Sequence, residues 1–228
     1  MIQQRIPTVH QVYGIFNDGI ELTDIPIYKL NVDETILFCE KHNLKHKLWN
    51  LKDCEKLIDE DFPEYKQLWD DYRYPIQRAD FIRYCILYKY GGLYVDCDIR
   101  PVKNLDSVFN EPIYFVYWNN DKKKLPYNAI LASHQNNKLM LEIIKQCKVD
   151  FYEKSKIQTY ETWKGRFVFQ TTGHSMLERV IKKNNIDKDK YFHDVLYVRN
   201  FDKGHEVGDC NNALFYDANA SVWYDNFI

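Results

Sequence analysis

Asp96 and Asp98 stand two residues apart in the segment LYVDCDI, directly after a Gly91-Gly92 pair. Read as a strand, Leu93–Ile99 alternates its side chains, so the two carboxylates project together while Cys97 joins Leu93, Val95 and Ile99 on the apolar face. Carboxylates this close repel each other unless something positive lies between them. A hard divalent cation that also holds phosphate oxygens removes the conflict, which points to chemistry on a phosphorylated substrate. Upstream, Asp80 and Arg83 are three residues apart and share one helix face. They are either a surface ion pair worth about 0.2–0.5 kcal/mol or a pair delivered into the pocket onto which Asp96 and Asp98 open. The mostly apolar circumference of that helix favours the pocket, because an unpaired charge there is expensive. In it, Asp80 would accept hydrogen bonds from hydroxyls while Arg83 steadies an anion or a hydroxyl.

The elements that must position these groups read as an α/β chain. A strand over Thr8–Tyr13, a helix over Asp33–His42 and a strand over Leu44–Trp49 form the repeating unit of an α/β sheet. Asp53–Glu60 reads as a helix with Asp53 as its cap and Cys54, Leu57 and Ile58 as its apolar side. Phe62–Trp69 is a second short helix with Pro63 in its first turn. The central helix, Ile76–Tyr90, starts after Pro75, stops at Gly91-Gly92 and is apolar enough to be buried on several sides. Ile113–Trp118 is a continuous apolar run suited to a central strand. Asn137–Cys147 and Thr172–Lys183 read as helices, the latter capped by Thr172 or Gly173, and Tyr191–Val198 and Ala213–Tyr216 as late strands. The polar stretches Asn119–Tyr127 and Asp202–Asn212 are expected to be mobile loops over a site.

Composition narrows the class. The 228 residues are enough for one domain with a sizeable core, and the net charge of −2 argues against a nucleic-acid binder. Aromatic residues reach 16%, so some Tyr and Trp rings are available to stack on a base or a sugar. The six cysteines show no C-x-x-C pair and no metal-ligand spacing, and Cys85 and Cys97 read as small buried hydrophobes. No stretch has the pattern of a signal peptide or the length of a membrane span, so a cytoplasmic protein in a reducing compartment is expected. The acidic motif admits three readings. One is metal-assisted transfer from a phosphorylated donor. Another is a phosphohydrolase with a nucleophilic Asp, which wants a longer apolar strand ahead of the motif. The third is a solvated acidic turn.

The string YPIQRADFIRYCILYKYGGLYVDCD resembles the signature of the glycosyltransferases that share a DXD sugar-nucleotide region. These are the family 32 type: initiating α-mannosyltransferases, inositol-phosphoceramide mannosyltransferases and capsular polysaccharide glycosyltransferases. The pattern R-A-D-x-x-R-Y-x-x-L-Y-x-Y-G-G-x-Y-x-D-x-D is met without a gap from Arg78 to Asp98. RIPTVHQVYG resembles the family's opening strand, with Tyr13 where Trp is usual, and Leu48-Trp49 followed by Cys54 resembles its L-W-x-x-x-x-C segment. Asn128 in YNAILAS resembles the Asn that follows the next strand. TTGHSML resembles T-G-P-x-x-L with His174 in place of Pro, and ASVW resembles the closing Ser-Trp element.

The resemblance implies a GT-A-like nucleotide-diphospho-sugar transferase fold, a single α/β domain with a central, mostly parallel sheet flanked by helices. Residues 1 to about 110 would hold the donor and the remainder would shape the acceptor side. It implies a retaining hexosyltransferase that uses Mn²⁺ or Mg²⁺ and takes GDP-mannose or a UDP-hexose as donor. The acceptor would be a glycan or glycolipid hydroxyl, with peripheral membrane association allowed and no nucleic-acid partner. It places Asp98 directly on the metal, Asp96 on the ribose, the sugar or the metal through water, Asp80 and Arg83 on the donor sugar, Tyr94 in the nucleotide site and Tyr13 against the base. Asn128 would lie near the sugar hydroxyls, and Ser221 and Trp223 would close the site. Only Asp217 and Asn219 are offered as a late third ligand. A transferase-like module that binds glycans or nucleotides without turnover is the alternative. His10, His134, His174, His193 and His205 lack metal-ligand spacing and read as structural or surface groups, with His174 facing the presumed acceptor side.

Overall fold

Strand β1 (Thr8–Val12) lies parallel to both β2 (Lys45–Trp49) and β3 (Gly92–Val95), so the chain returns twice to one sheet through helical crossovers. The structure, a computed structural model, describes residues 7–117, 125–157, 163–200, 205–207 and 210–218. Helix α1 (Pro26–Lys41) links β1 to β2; it starts at Pro26, ahead of the expected Asp33, because proline's fixed φ suits a first helical turn. Helix α2 (Leu51–Asp61) is capped by Asn50 rather than Asp53. Asn50 Oδ1 accepts from the Asp53 N–H at 3.0 Å, and the Asp53 carboxylate accepts from the Asn50 N–H at 3.4 Å, a reciprocal box. Phe62–Trp69 divides into a 3-10 turn over Pro63–Tyr65 and helix α3 (Lys66–Asp71).

Helix α4 (Pro75–Tyr90) takes the boundaries its Pro and Gly residues imply, and 11 of its 16 residues are buried, Asp80 and Arg83 among them. Gly91 and Gly92 follow with φ of 67° and 97°. A Cβ on Gly92 would stand 2.3 Å from the Thr8 carbonyl oxygen, and one on Gly91 2.7 Å from the Gln135 amide nitrogen. The turn therefore passes between two backbones with no room for a side chain. Buried His10 pins it from β1: Nε2–H donates to the Gly91 carbonyl at 3.0 Å, and Nδ1 accepts from the Trp49 indole at 3.2 Å. Burial pushes its pKa down to about 4, so His10 is a neutral structural group, as its spacing suggested.

Strand β3 ends at Val95, which corrects the strand expected to run to Ile99. Asp96, Cys97 and Asp98 form a turn closed by the Ile99 N–H on the Asp96 carbonyl at 3.0 Å. Strand β4 (Ile99–Pro101) then enters a second sheet. The Gln11 side-chain amide donates to the carbonyls of Asp96 and Ile99 at 3.3 and 3.4 Å, taking groups that a continuing ladder would use. Leu93, Val95 and Ile99 still share one core, but Cys97 leaves it and donates from Sγ to the Val12 carbonyl at 3.3 Å.

After α5 (Asp106–Asn110) and β5 (Ile113–Tyr117) comes β6 (Pro126–Ser133), where a loop through Tyr127 was expected. Its last five residues are all buried, so no alternation marks it. Asn128 consequently lies within a strand, not after one. Residues 118–124 lie outside the described residues. Helix α6 (Lys138–Lys154) is capped by Asn137 and runs past Cys147. Helix α7 (Lys164–Thr171), which the sequence did not announce, precedes α8 (His174–Lys183), whose cap is Gly173. The remaining elements are α9 (Lys188–Tyr191), β7 (Phe192–His193), β8 (Leu196–Asn200), β9 (His205–Val207) and β10 (Phe215–Asp217). The single strand expected over Tyr191–Val198 is thus two strands in different sheets.

The main sheet has the order β2-β1-β3-β6-β5-β7, with β1–β2, β1–β3 and β5–β7 parallel and β6 antiparallel to both its neighbours. Alternation sends Tyr94, Phe115 and Leu131 into the core beneath α4, α6, α7 and α8. Leu93, Val95, Tyr114, Val116 and Ala132 enter a second core with Leu196 and Phe215 of the small β4-β10-β8-β9 sheet. Among the described residues no helix is long and apolar enough to cross a membrane. All six cysteines are free, and all but Cys210 are buried. The Gly92→Ala substitution combines a positive φ with a backbone clash, so it should lower unfolding free energy by more than about 2 kcal/mol in urea titrations. An unchanged urea midpoint would refute the close packing at this turn.

Candidate active site

The carboxyl ends of β1 and β3 open onto a cavity of about 520 Å³. This is where open α/β sheets bind ligands. Tyr13, Gly14 and Phe16 follow β1, Asp96–Asp98 follow β3, Asp80 and Arg83 reach in from α4, and Tyr127 and Asn128 come from β6. Thus Tyr13, Asp80, Arg83, Tyr94, Asp96, Asp98 and Asn128, all singled out in the sequence, line one space. Asp96 and Asp98 arrive there by a turn rather than by strand alternation. Ser221, Trp223 and Asn219 lie outside the described residues.

Asp80 and Arg83 are a buried pair, with side chains only 5% and 3% exposed, which rules out the surface reading. Arg83 Nη2 meets Asp80 Oδ1 at 2.9 Å and Asp96 Oδ1 at 3.5 Å. Its Nε donates to the Ala79 carbonyl at 3.2 Å and Nη1 to the Asn128 carbonyl at 2.7 Å, while the guanidinium sits 4.8 Å from the centre of the Tyr94 ring. Asp80 Oδ1 also accepts from the Asn128 amide at 2.9 Å, and Oδ2 accepts from the Thr172 hydroxyl at 2.9 Å. A carboxylate offers about four lone-pair sites, so among the described residues one on Oδ2 stays open. Arg83 spends most of its five donors on protein. Burial outweighs the Arg83 charge and these hydrogen bonds, and pushes the Asp80 pKa up to about 6.

Asp96 is about one third exposed and accepts from the Tyr94 hydroxyl at 2.6 Å. The turn that carries it is held on both sides. The Asp96 N–H donates to the Ala129 carbonyl at 3.0 Å, and the Ala218 N–H donates to the Asp98 carbonyl at 3.0 Å. Asp217, which precedes Ala218, is buried and accepts from the Tyr127 hydroxyl at 2.7 Å. It supports the cavity wall through Tyr127. Tyr13 is half-buried, with its ring edge-on to Tyr28 at 6.2 Å and its hydroxyl donating to the Ile20 carbonyl at 3.1 Å.

Asp18, Asp80, Asp96 and Asp98 against Arg83 give the cavity lining an excess of negative charge. Among the described residues no cluster of three His, Cys, Asp or Glu could hold a metal alone. Two carboxylates on one turn instead suit a hard cation whose other positions are filled by a ligand's phosphate oxygens and water. Thr172, Tyr28, Tyr127 and Phe169 are site residues that motif reading passed over. Thr172 was within reach, since it lies in the recognised TTGHSML segment.

Family-level comparison agrees with this geometry. The model for glycosyltransferase sugar-binding regions containing the DXD motif matches residues 16–115, and that for capsular polysaccharide synthesis proteins matches residues 66–218. Inositol phosphoceramide mannosyltransferase 3 of Schizosaccharomyces pombe is 39% identical over 70 residues, which are 31% of this chain and 20% of that protein. A mannosyl phosphorylinositol ceramide synthase of Saccharomyces cerevisiae is 32% identical over 124 residues, 53% of this chain and 30% of that protein. The chain therefore matches less than a third of the length of either relative. The solved PaToxG glycosyltransferase superposes with a TM-score of 0.55 at 14% identity, covering 80% of this chain and 71% of that one, which establishes a shared fold.

Removing the Arg83 charge leaves Asp80 buried beside Asp96 without its counter-ion. Arg83→Ala should cost about 3–5 kcal/mol of unfolding free energy, and adding Asp80→Asn should recover part of it in a double-mutant cycle. A loss under about 1 kcal/mol would return the pair to a surface-like role. The carboxyl carbon of Asp80 should titrate near pH 6 by NMR, above the usual carboxylate range. Because the fold raises this pKa, the associated stability is present at low pH and is lost as pH rises through about 6.

Proposed function

This chain belongs to the DXD-containing glycosyltransferases and capsular polysaccharide synthesis proteins, and from that membership we propose that it moves a hexosyl group from a nucleotide-sugar to a hydroxyl with retained anomeric configuration. GDP-mannose or a UDP-hexose is the donor, and a glycan or lipid-linked hydroxyl is the acceptor. The observation that carries this reading is the convergence of Asp80, Arg83, Asp96, Asp98 and Asn128 on one cavity at the carboxyl ends of β1 and β3.

Asp96 and Asp98 would hold Mn²⁺ or Mg²⁺ together with the donor diphosphate. The bound cation neutralises charge on the leaving group. Asp98 is the direct ligand in this reading, and Asp96, already engaged by Tyr94 and Arg83, serves the sugar or a bound water. Tyr13 offers its ring to the base. The open lone pair on Asp80 Oδ2 accepts from a donor-sugar hydroxyl. Arg83 acts mainly as a strut that fixes Asp80 and Asp96 relative to each other. The bond from the anomeric carbon to the diphosphate oxygen breaks, a bond to the acceptor oxygen forms on the same face, and the acceptor proton passes to the departing phosphate. Residues up to about 110 supply most of the donor side, with Asn128 added from β6, and the later helices shape the acceptor side.

Incubation with GDP-mannose and UDP-hexoses plus Mn²⁺ tests this. Slow release of free sugar and nucleoside diphosphate is expected, and the anomer formed on a glycoside acceptor, read by proton NMR, should match the donor. Inorganic phosphate as the product would point to a hydrolase, and nucleotide binding without turnover to a module. Asp98→Asn should lower turnover at least about 100-fold and remove the Mn²⁺ effect on nucleotide binding while the melting temperature holds. Full activity in that variant would remove Asp98 from the metal.

A further inference from the structure

Helix α8 begins at His174 with Gly173 as its cap, and both line the cavity together with Val168 and Phe169 of α7. The His174 ring lies 4.5 Å from the Phe169 ring, tilted by 43°, and both side chains are half-buried. Backbone packing holds the pair in place: a Cβ on Gly173 would stand 3.0 Å from the Phe169 Cα. Among the described residues no hydrogen bond engages either ring nitrogen of His174. Burial lowers its pKa, so at neutral pH the ring is uncharged, with one donor and one acceptor nitrogen turned to account by whatever enters the cavity.

This wall is fastened to the donor-holding carboxylate. Thr172, two residues before His174, gives its hydroxyl to Asp80 Oδ2 at 2.9 Å and accepts the Tyr84 hydroxyl on its carbonyl at 2.6 Å. An aromatic face beside a neutral group that both donates and accepts is the kind of surface that takes a polar ring with an apolar side. We propose that Phe169 and His174 form the acceptor subsite and that its occupant is a hexopyranoside, with its C–H face against Phe169 and one hydroxyl hydrogen-bonded to His174. The proposal rests on the transfer reading above and adds to it the chemical class of the acceptor and the residues that hold it.

The test uses the methyl α-glycosides of mannose, glucose and galactose as probes, followed by saturation-transfer NMR on the full chain. Nucleoside diphosphate and Mn²⁺ are titrated separately by calorimetry. At least one glycoside should receive saturation from the wild-type protein, strongest along one face of the sugar. That signal should fall at least fivefold in His174→Ala and in Phe169→Ala, with nucleoside-diphosphate affinity changed less than twofold. Phe169→Leu, which keeps apolar volume, serves if the alanine variant does not fold, and should also lose the signal. Glycoside signals unchanged in the variants, or absent with the wild type, would overturn the subsite. Failure of the wild type to bind any nucleotide or nucleotide-sugar would strike the transfer reading instead.

Discussion

Everything at the cavity depends on burying Asp80 and Arg83 together inside α4. Moving either ion out of water alone costs several kcal/mol, and attraction between them offsets that only when the remaining lone pairs and protons are also satisfied. Here the partners come from four places: the Ala79 carbonyl in α4, the Asn128 carbonyl and amide in β6, Asp96 in the turn after β3, and Thr172 between α7 and α8. Each element is thereby held in register with the others by a group that cannot be left unpaired. The compensation is incomplete on the carboxylate side, since burial still raises Asp80 to about 6. The pair therefore acts less as a source of stability than as a specification of where four elements meet.

A second constraint delivers the acids. Gly91-Gly92 carries the chain from the end of α4 into β3 through a gap that Thr8 and Gln135 leave too narrow for any side chain. Three residues beyond Gly92 the strand stops, and Gln11, Ala129 and Ala218 supply the hydrogen bonds that hold the acidic turn. A strand would have fixed Asp96 and Asp98 by pleat alone. A turn instead lets Asp96 fall back on Tyr94 and Arg83 while Asp98 leads into the second sheet. The two carboxylates are therefore not equivalent, although their spacing looks symmetric.

Legibility followed the strength of local signals. Helix α4 was readable to its ends because Pro75 and Gly91 bound it, and β1 and β2 because they flank a helix. Asp80, Arg83, Tyr94, Asp96 and Asp98 were readable because a long, ungapped motif spans Arg78 to Asp98, whereas Tyr13 and Asn128 rested on shorter flanking segments. Strand β6 was not, since a segment buried on both faces has no period, and its neighbours' polarity suggested a loop. The cap of α2 was misplaced by three residues because both members of a capping box are good cap formers, and only geometry shows which comes first. The end of β3 was misjudged for a different reason. What stops it is a side chain, Gln11, some 85 positions away, and no local pattern carries such a contact.

The two oxygens of Asp80 divide the cavity's work. Oδ1 is filled by Arg83 of α4 and Asn128 of β6. Oδ2 holds Thr172 and keeps the remaining lone pair. A ligand hydroxyl that takes that site therefore shares an oxygen with the residue that starts the Gly173–His174 wall. Any change in the position of Thr172 is felt at the Asp80 carboxylate through this hydrogen bond, and any tightening at the carboxylate is felt at the wall. With two buried hydrogen bonds as the link, Thr172 to Asp80 and Tyr84 to the Thr172 carbonyl, the register between helix α4 and the Gly173–His174 wall is fixed without any contact to solvent.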